Sequence, residues 1–311
     1  MRKKFRACLE LLRVFLTPTA VSDSLAGFIV AGALGDASET APPARAALVA
    51  GASVCAYWLG MAANDLFDRD TDARRAPGKP IPSGRISERE ATALCFLLGA
   101  MALALAFACG ALGLMAGLVA AILAYDAGGK NIPVLGNVLM GLCRAGNFLL
   151  GAVAARGQIF VFETPALFWG GATLCLFIML VTAVSRLEDE PFNVQKLRWR
   201  AAWTLLIPLG LYLARWTDIF SAVNSLAFAA LLLGALRKAS AAGINGRGHF
   251  HGAAVFVRES LAGIFLLDAG LALAILPDSA SRAPVVVIFY ALLGLGWLWK
   301  REWLQRGSPG S

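Results

Sequence analysis

Histidine is nearly missing from this chain, with two residues in 311, and charge is scarce, with Asp, Glu, Lys and Arg at 15%. Both histidines, His249 and His251, fall in one glycine-rich loop, GINGRGHFHG. A loop of that composition gives a metal no frame, so the pair receives no role. The six cysteines (Cys8, Cys55, Cys95, Cys109, Cys143 and Cys175) are scattered, mostly within apolar segments, and never form a CxxC. That spacing excludes a thiol metal centre and a disulfide framework, leaving small packing residues. Low charge, 58% hydrophobic residues and a mean hydropathy of +0.67 exclude a soluble globule. No small-residue cleavage site follows the basic start MRKKFRACLELLR, so the apolar run after it reads as a retained first membrane helix and not a signal peptide. The net charge of +8 then reflects membrane topology and not nucleic-acid binding.

What is present is a series of apolar segments, at 14–34, 46–63, 91–109, 112–125, 134–154, 166–184, 201–214, 219–236, 260–276 and 284–299. They predict an all-α polytopic membrane protein with one helical domain spanning residues 1–311. With the N-terminus in the cytoplasm and the segments alternating sides, 23 of the 28 Lys and Arg residues fall on the cytoplasmic side. That bias predicts both termini and both polar hubs, 64–89 and 185–200, on the cytoplasmic face.

The first hub begins where the segment 46–63 becomes charged. Asn64, Asp68 and Asp72 follow at i, i+4 and i+8, with Asp65 three residues before Asp68. On a helix these spacings gather one amide and three carboxylates on one face. Such a cluster repels itself unless cations neutralise it, and hard oxygen donors of this kind suit Mg²⁺ with positions left open for phosphate oxygens. Asp70, roughly 200° round the helix from Asp68, is expected outside the cluster. Arg74, Arg75 and Lys79 follow, then a turn, PGKPIPSG, that must end the helix. Acids for a metal beside bases for an anion match what an ionising diphosphate needs. A mixed-charge loop at a membrane surface would share the composition but has no reason to keep one helical face.

Asn64-Asp65-x-x-Asp68-x-x-x-Asp72, followed by Lys79-Pro80-Ile81-Pro82-Ser83-Gly84, resembles the first signature of the UbiA family of intramembrane prenyltransferases. The resemblance implies a bundle of nine transmembrane helices, with 284–299 as an additional tenth. It implies a prenyl diphosphate held by Mg²⁺ on Asn64, Asp65, Asp68 and Asp72, with Arg75, Lys79 and Lys130 neutralising the leaving group. Tyr125-Asp126-Ala127-Gly128-Gly129-Lys130 is similar to the family's Tyr…Lys element, Lys130 contacting the diphosphate and Tyr125 flanking the cavity. An interfacial tyrosine and a loop lysine would look the same. Pro133-x-x-Gly136-Asn137 is also family-like and adds Asn137. Arg144, within the next apolar stretch, is costly there and functional by default, its partner an acid or an anionic ligand. Asp23 and Asp268 are both candidate partners, and the sequence does not choose between them.

The family's second acidic signature aligns with Arg186-Leu187-Glu188-Asp189-Glu190. Glu188 and Glu190 take the places of its last two acids, implying a second metal, but Arg186 replaces the first. Arg186 and Glu190 stand at i, i+4, a spacing that allows them to pair with one another. Alternatively, Arg186 is a bidentate partner for phosphate in place of one metal ligand, or the site has lost transferase chemistry. The run Tyr57-Trp58-Leu59-Gly60-Met61-Ala62-Ala63-Asn64-Asp65 together with Ser185-Arg186-Leu187-Glu188 resembles the EboC-like branch, associated with bacterial secondary metabolism. Phe160, Phe162 and Phe177 read as lipid-facing or core residues. The expected function is transfer of an isoprenoid from a prenyl diphosphate to an aromatic or other lipophilic acceptor, in a bacterial inner membrane with the site facing the cytoplasm. The rival is a non-catalytic relative that binds or translocates a lipophilic metabolite, favoured by Arg186.

Overall fold

The computed structural model describes residues 2–35, 41–190, 193–214, 218–244, 251–276 and 279–305. Every regular element among them is helical. In chain order these are α1 (Arg2–Leu11), α2 (Thr17–Leu34), α3 (Pro43–Phe67), α4 (Arg69–Arg75), α5 (Glu88–Ala108), α6 (Leu112–Asp126), α7 (Pro133–Arg156) and α8 (Gln158–Glu163). They continue as α9 (Pro165–Ser185), α10 (Val194–Ala202), α11 (Leu206–Ala214), α12 (Ile219–Ile244), α13 (His251–Ser260), α14 (Gly263–Ile275) and α15 (Ser279–Gln305). Asp36, Glu39, Arg215 and His249 lie outside the described residues.

Local chemistry explains where these helices begin. Proline occupies the first turn of α2, α3, α7 and α9, where its missing N–H is no loss and its φ already suits a helix. α5 starts on a capping box: Ser87 accepts from the Glu90 backbone N–H while the Glu90 side chain accepts from that of Ser87. Seven helices among the described residues are long and apolar enough to cross a membrane, and α6 is a shorter apolar helix. The segment expected at 201–214 is not one helix: α10 passes through a tight 3₁₀ turn, Trp203–Leu205, into α11. Only nine residues long, α11 spans about 14 Å at ~1.5 Å per residue, less than half a bilayer core. The segment expected at 284–299 lies within α15, which packs on α14 and α2.

α2 is the central element, in contact with α3, α7, α14 and α15. Its crossing with α7 depends on two glycines. A Cβ on Gly27 would stand 1.8 Å from the Phe148 carbonyl oxygen, and one on Gly151 would stand 1.8 Å from that of Ser24. Small residues bring membrane helices this close, since packing rather than water exclusion must hold them. Buried polar groups add bonds between helices: Ser53 donates to the Ala20 carbonyl at 2.8 Å, and Asn224 to that of Leu266 at 2.8 Å. Large apolar side chains also point outward, among them Phe96 and Phe162, as a lipid-facing surface requires. Phe177 instead is core, edge-on to Phe228.

A second apolar cluster lies at the charged end. Ala7, Leu11 and Leu12 of the N-terminal region meet Leu59, Ile81, Ile86, Ala91 and Leu98. Arg85 bonds Glu10 at 2.6 and 3.1 Å and the Gly78 carbonyl at 2.5 Å. α1, the basic start of the chain, is thereby fastened over the proline-rich loop.

Candidate active site

The helical register of the first hub continues through Asp68, where α3 ends and α4 begins. Asp68 donates its N–H to the Asn64 carbonyl at 3.0 Å, and Asp72 donates to that of Asp68 at 2.8 Å. The i, i+4, i+8 spacing therefore aligns Asn64, Asp68 and Asp72 as expected. The side chains do not converge on one point, however. Among the described residues, no three His, Cys, Asp or Glu side chains form a metal-binding group. Two oxygen pairs form instead, each bridged by an ammonium. Lys79 Nζ lies 3.2 Å from Asp65 and 2.7 Å from Asp72, while Lys130 Nζ lies 3.1 Å from Asn64 and 2.6 Å from Asp68. The reason is electrostatic: three carboxylates at this spacing need counter-charge, and the lysines supply it.

A third cation completes the balance. Arg13 donates to Asp65 at 3.1 Å, so three carboxylates face three cations. Sequence reasoning missed Arg13, which is one of several bases near the N-terminus and lies 52 residues from its partner. Its backbone is left-handed, φ 46° and ψ 48°, a conformation that turns the chain from α1 toward α2. The Tyr57 hydroxyl donates to the Arg13 carbonyl at 3.4 Å, and Trp58 Nε1 donates to Thr17 Oγ1 at 2.9 Å, so α3 holds that turn in place. Asp70 lies outside the hub, largely exposed beside Arg69. Arg75 is also exposed, on the last turn of α4, and makes no bond to the acids.

From Asn64 and Arg13 a cavity of about 200 Å³ runs between α3, α6 and α7, lined by Tyr57, Met61, Ile122, Tyr125, Asp126 and Met140 among others. Arg144 and Asn147 are also part of its wall. The open choice of partner for Arg144 is resolved in favour of Asp23, at 2.9 Å, with Thr19 accepting a second bond at 3.2 Å. Asn147 donates to the Ala20 carbonyl at 2.7 Å. Asp268 accepts instead from Ser22.

At the second hub one of the open alternatives drops out. Arg186 does not pair with Glu190. Residues Arg186–Asp189 wind as a 3₁₀ turn and Glu190 is extended, so the i, i+4 spacing no longer places the two on one face. Arg186 reaches across to Asn137 Oδ1 at 2.8 Å and the Lys130 carbonyl at 3.2 Å. Glu190 bonds Lys196 at 2.9 Å and lies 3.5 Å from Arg200, both on α10. The Lys196 ammonium holds the Glu190 carboxyl below the usual carboxylate range. Glu188 is half-buried on the 3₁₀ turn. Lys130 links the hubs, its ammonium on the first and its carbonyl accepting from the second.

Known proteins resemble this chain in sequence and in fold. Two archaeal relatives carry the name digeranylgeranylglyceryl phosphate synthase. That of Natronomonas pharaonis is 34% identical over 164 residues, covering 50% of this chain and 55% of the relative. That of Methanothrix thermoacetophila is 36% identical over 151 residues, covering 47% and 54%. The chain thus spans about half the length of the curated relatives it matches. Two solved structures share the fold at low identity. A UbiA homolog from Aeropyrum pernix K1 superposes with a TM-score of 0.62 at 21% identity, over 83% of this chain and 95% of that one. A UbiA homolog from Archaeoglobus fulgidus bound to GPP and Mg²⁺ gives 0.56 at 18%, over 94% and 99%. The profile of the UbiA prenyltransferase family matches residues 25–244, which include the acidic residues of both hubs and most of the cavity lining. This chain belongs to the UbiA prenyltransferase family.

Proposed function

We propose that the protein is an intramembrane, Mg²⁺-dependent prenyltransferase that moves an isoprenoid from a prenyl diphosphate to a lipophilic acceptor. The observation that carries this reading is the set of oxygen pairs, each bridged by a lysine, beside a largely apolar cavity whose lining includes Asn64 of that set. The donor set fits Mg²⁺: Asn64, Asp65, Asp68 and Asp72 offer only hard oxygens, and the bridging ammoniums already occupy cation positions among them. When bound, Mg²⁺ supplies neutralisation of the leaving diphosphate. The A. fulgidus homolog binds GPP and Mg²⁺, which supports the same pairing here.

The chain's own residues do the rest. Lys79 and Lys130 turn from the carboxylates to the phosphate oxygens, and Arg13 stays on Asp65. Arg186, docked on Asn137 and on the Lys130 carbonyl, keeps the loop carrying Lys130 in position, and its fixed charge takes the place of a second acidic signature. Glu188 and Glu190 are not required as ligands in this reading, since Glu190 is committed to α10. The isoprenoid lies along Met61, Ile122 and Met140, gaining roughly 0.8 kcal/mol per buried CH₂. Those walls also exclude water from the allylic cation.

For the acceptor, the relatives' name specifies a glyceryl phosphate carrying two geranylgeranyl groups, which favours a lipid hydroxyl over an aromatic ring. The distribution of bases supports an active site facing the cytoplasm, and the runs at 57–65 and 185–188 support placement in the EboC-like branch. The test is pyrophosphate release by purified protein with geranylgeranyl diphosphate and Mg²⁺. Release by wild type and its loss in Asp65→Ala are expected. Prenyl diphosphate that binds without release would replace this reading with binding or transport.

A further inference from the structure

One buried acid takes no part in the scheme above. Asp126, the last residue of α6, is 4% exposed and lines the cavity beside Tyr125. Among the described residues it is the one carboxyl in that lining, and its side chain makes no hydrogen bond or ion pair. The hub acids differ: Asp65, Asp68 and Asp72 all have oxygens engaged by Arg13, Lys79 or Lys130. Charged groups facing Asp126 come from three directions. Burial opposes its ionised form most strongly; Lys130 and Arg13 favour that form, and Asp68 and Asp65 oppose it. Cys95, Cys143 and Tyr125 also lie within its field.

An unpaired carboxylate buried in an apolar cavity is expensive to keep, and such groups in membrane proteins mark function. The proposed reaction creates a need for one. When an acceptor hydroxyl forms a C–O bond to the allylic carbon, the C–O bond to diphosphate breaks and its electron pair leaves with the diphosphate. The acceptor's O–H proton must then go somewhere. Lysines already carrying three hydrogens cannot take it, which leaves the departing diphosphate or a carboxylate at the cavity wall.

We infer that Asp126 is the proton acceptor for the acceptor substrate, a lipid-borne hydroxyl, and is therefore a catalytic residue of the transfer step. The inference rests on the prenyltransferase reading. Its geometry is that of a general base: open lone pairs at the cavity wall, close to the diphosphate hub yet not held by the hub's cations. The resulting carboxylic acid returns its proton to solvent once product leaves.

The experiment uses the full-length protein in detergent with geranylgeranyl diphosphate, Mg²⁺ and geranylgeranylglyceryl phosphate as the hydroxyl probe. Diphosphate released and prenyl transferred are measured together across pH. In Asp126→Asn, transfer per diphosphate released should fall by about 10²–10⁴-fold, as loss of a general base does. The wild-type decline toward acid pH should vanish with it, and Asp126→Glu should recover part of the rate. A parallel fall of release and transfer, with the acid limb unchanged, would make Asp126 structural and overturn the inference. Wild type that releases diphosphate without prenylating the probe would overturn the lipid-hydroxyl acceptor, and Asp126 as its base. Wild type that releases none would overturn the prenyltransferase reading itself.

Discussion

Lys79 and Lys130 show what single residues contribute here. Each sits between two oxygen donors, and with Arg13 they cancel the three carboxylates of the first hub. Adding a dication to a neutral hub is unfavourable, whereas adding it together with a polyanionic diphosphate is close to balanced. Mg²⁺ alone should therefore raise the thermal unfolding temperature little, and Mg²⁺ with pyrophosphate should raise it clearly. In Lys79→Met, Asp65 and Asp72 lose a shared partner. Unfolding in EDTA should then come earlier, by about 1–3 kcal/mol of stability, and Mg²⁺ alone should restore it. Equal responses of wild type and variant to Mg²⁺ would remove these acids from the metal site. Asp68→Asn should leave the protein folded and abolish Mg²⁺-dependent release, and retained turnover would exclude Asp68 as a ligand. Most of these residues were legible because a local motif names them. Arg13 was not, since a base beside an apolar run looks the same whether it faces lipid headgroups or a buried carboxylate.

Among the elements, α2 and α7 matter most, because their contact sets the cavity wall that carries Arg144 and Asn147. Helix periodicity cannot reveal that contact. It follows from two backbones meeting where Gly27 and Gly151 leave room. Gly151→Val should force them apart and destabilise the protein by about 1–3 kcal/mol or more, shifting Arg144 away from Asp23. Gly32→Ala, on the same helix α2 but with open space around its Cβ position, should be neutral or slightly stabilising. Thermal unfolding of both variants in one detergent checks the contrast, and equal stabilities would mean that the crossing is looser than described. The Arg186–Glu190 pair, one of the options open in the sequence, fails to form for a related reason. An i, i+4 pair presumes an α-helix, and residues Arg186–Asp189 instead wind with three residues per turn. Arg186 thus points to α7 and the Lys130 loop, and Glu190 to α10.

The molecule as a whole is an integral membrane bundle whose charged end is closed by α1, the proline-rich loop and the start of α5. Reporter fusions after Leu236 and at the C-terminus should both report cytoplasm, given where the 23 bases fall. An external C-terminus would require an odd number of crossings. Hydropathy alone was enough to establish the helical membrane class, and the Asn64–Gly84 signature was enough for the family, because each is written in contiguous residues. Only the tertiary structure decided that Asp23, not Asp268, pairs with Arg144, that Arg13 joins the hub, and that Asp126 faces the cavity unpaired. These choices are made between segments far apart in the chain. They are settled by which backbones approach closely enough for a charge to find its partner or, at Asp126, to be left without one.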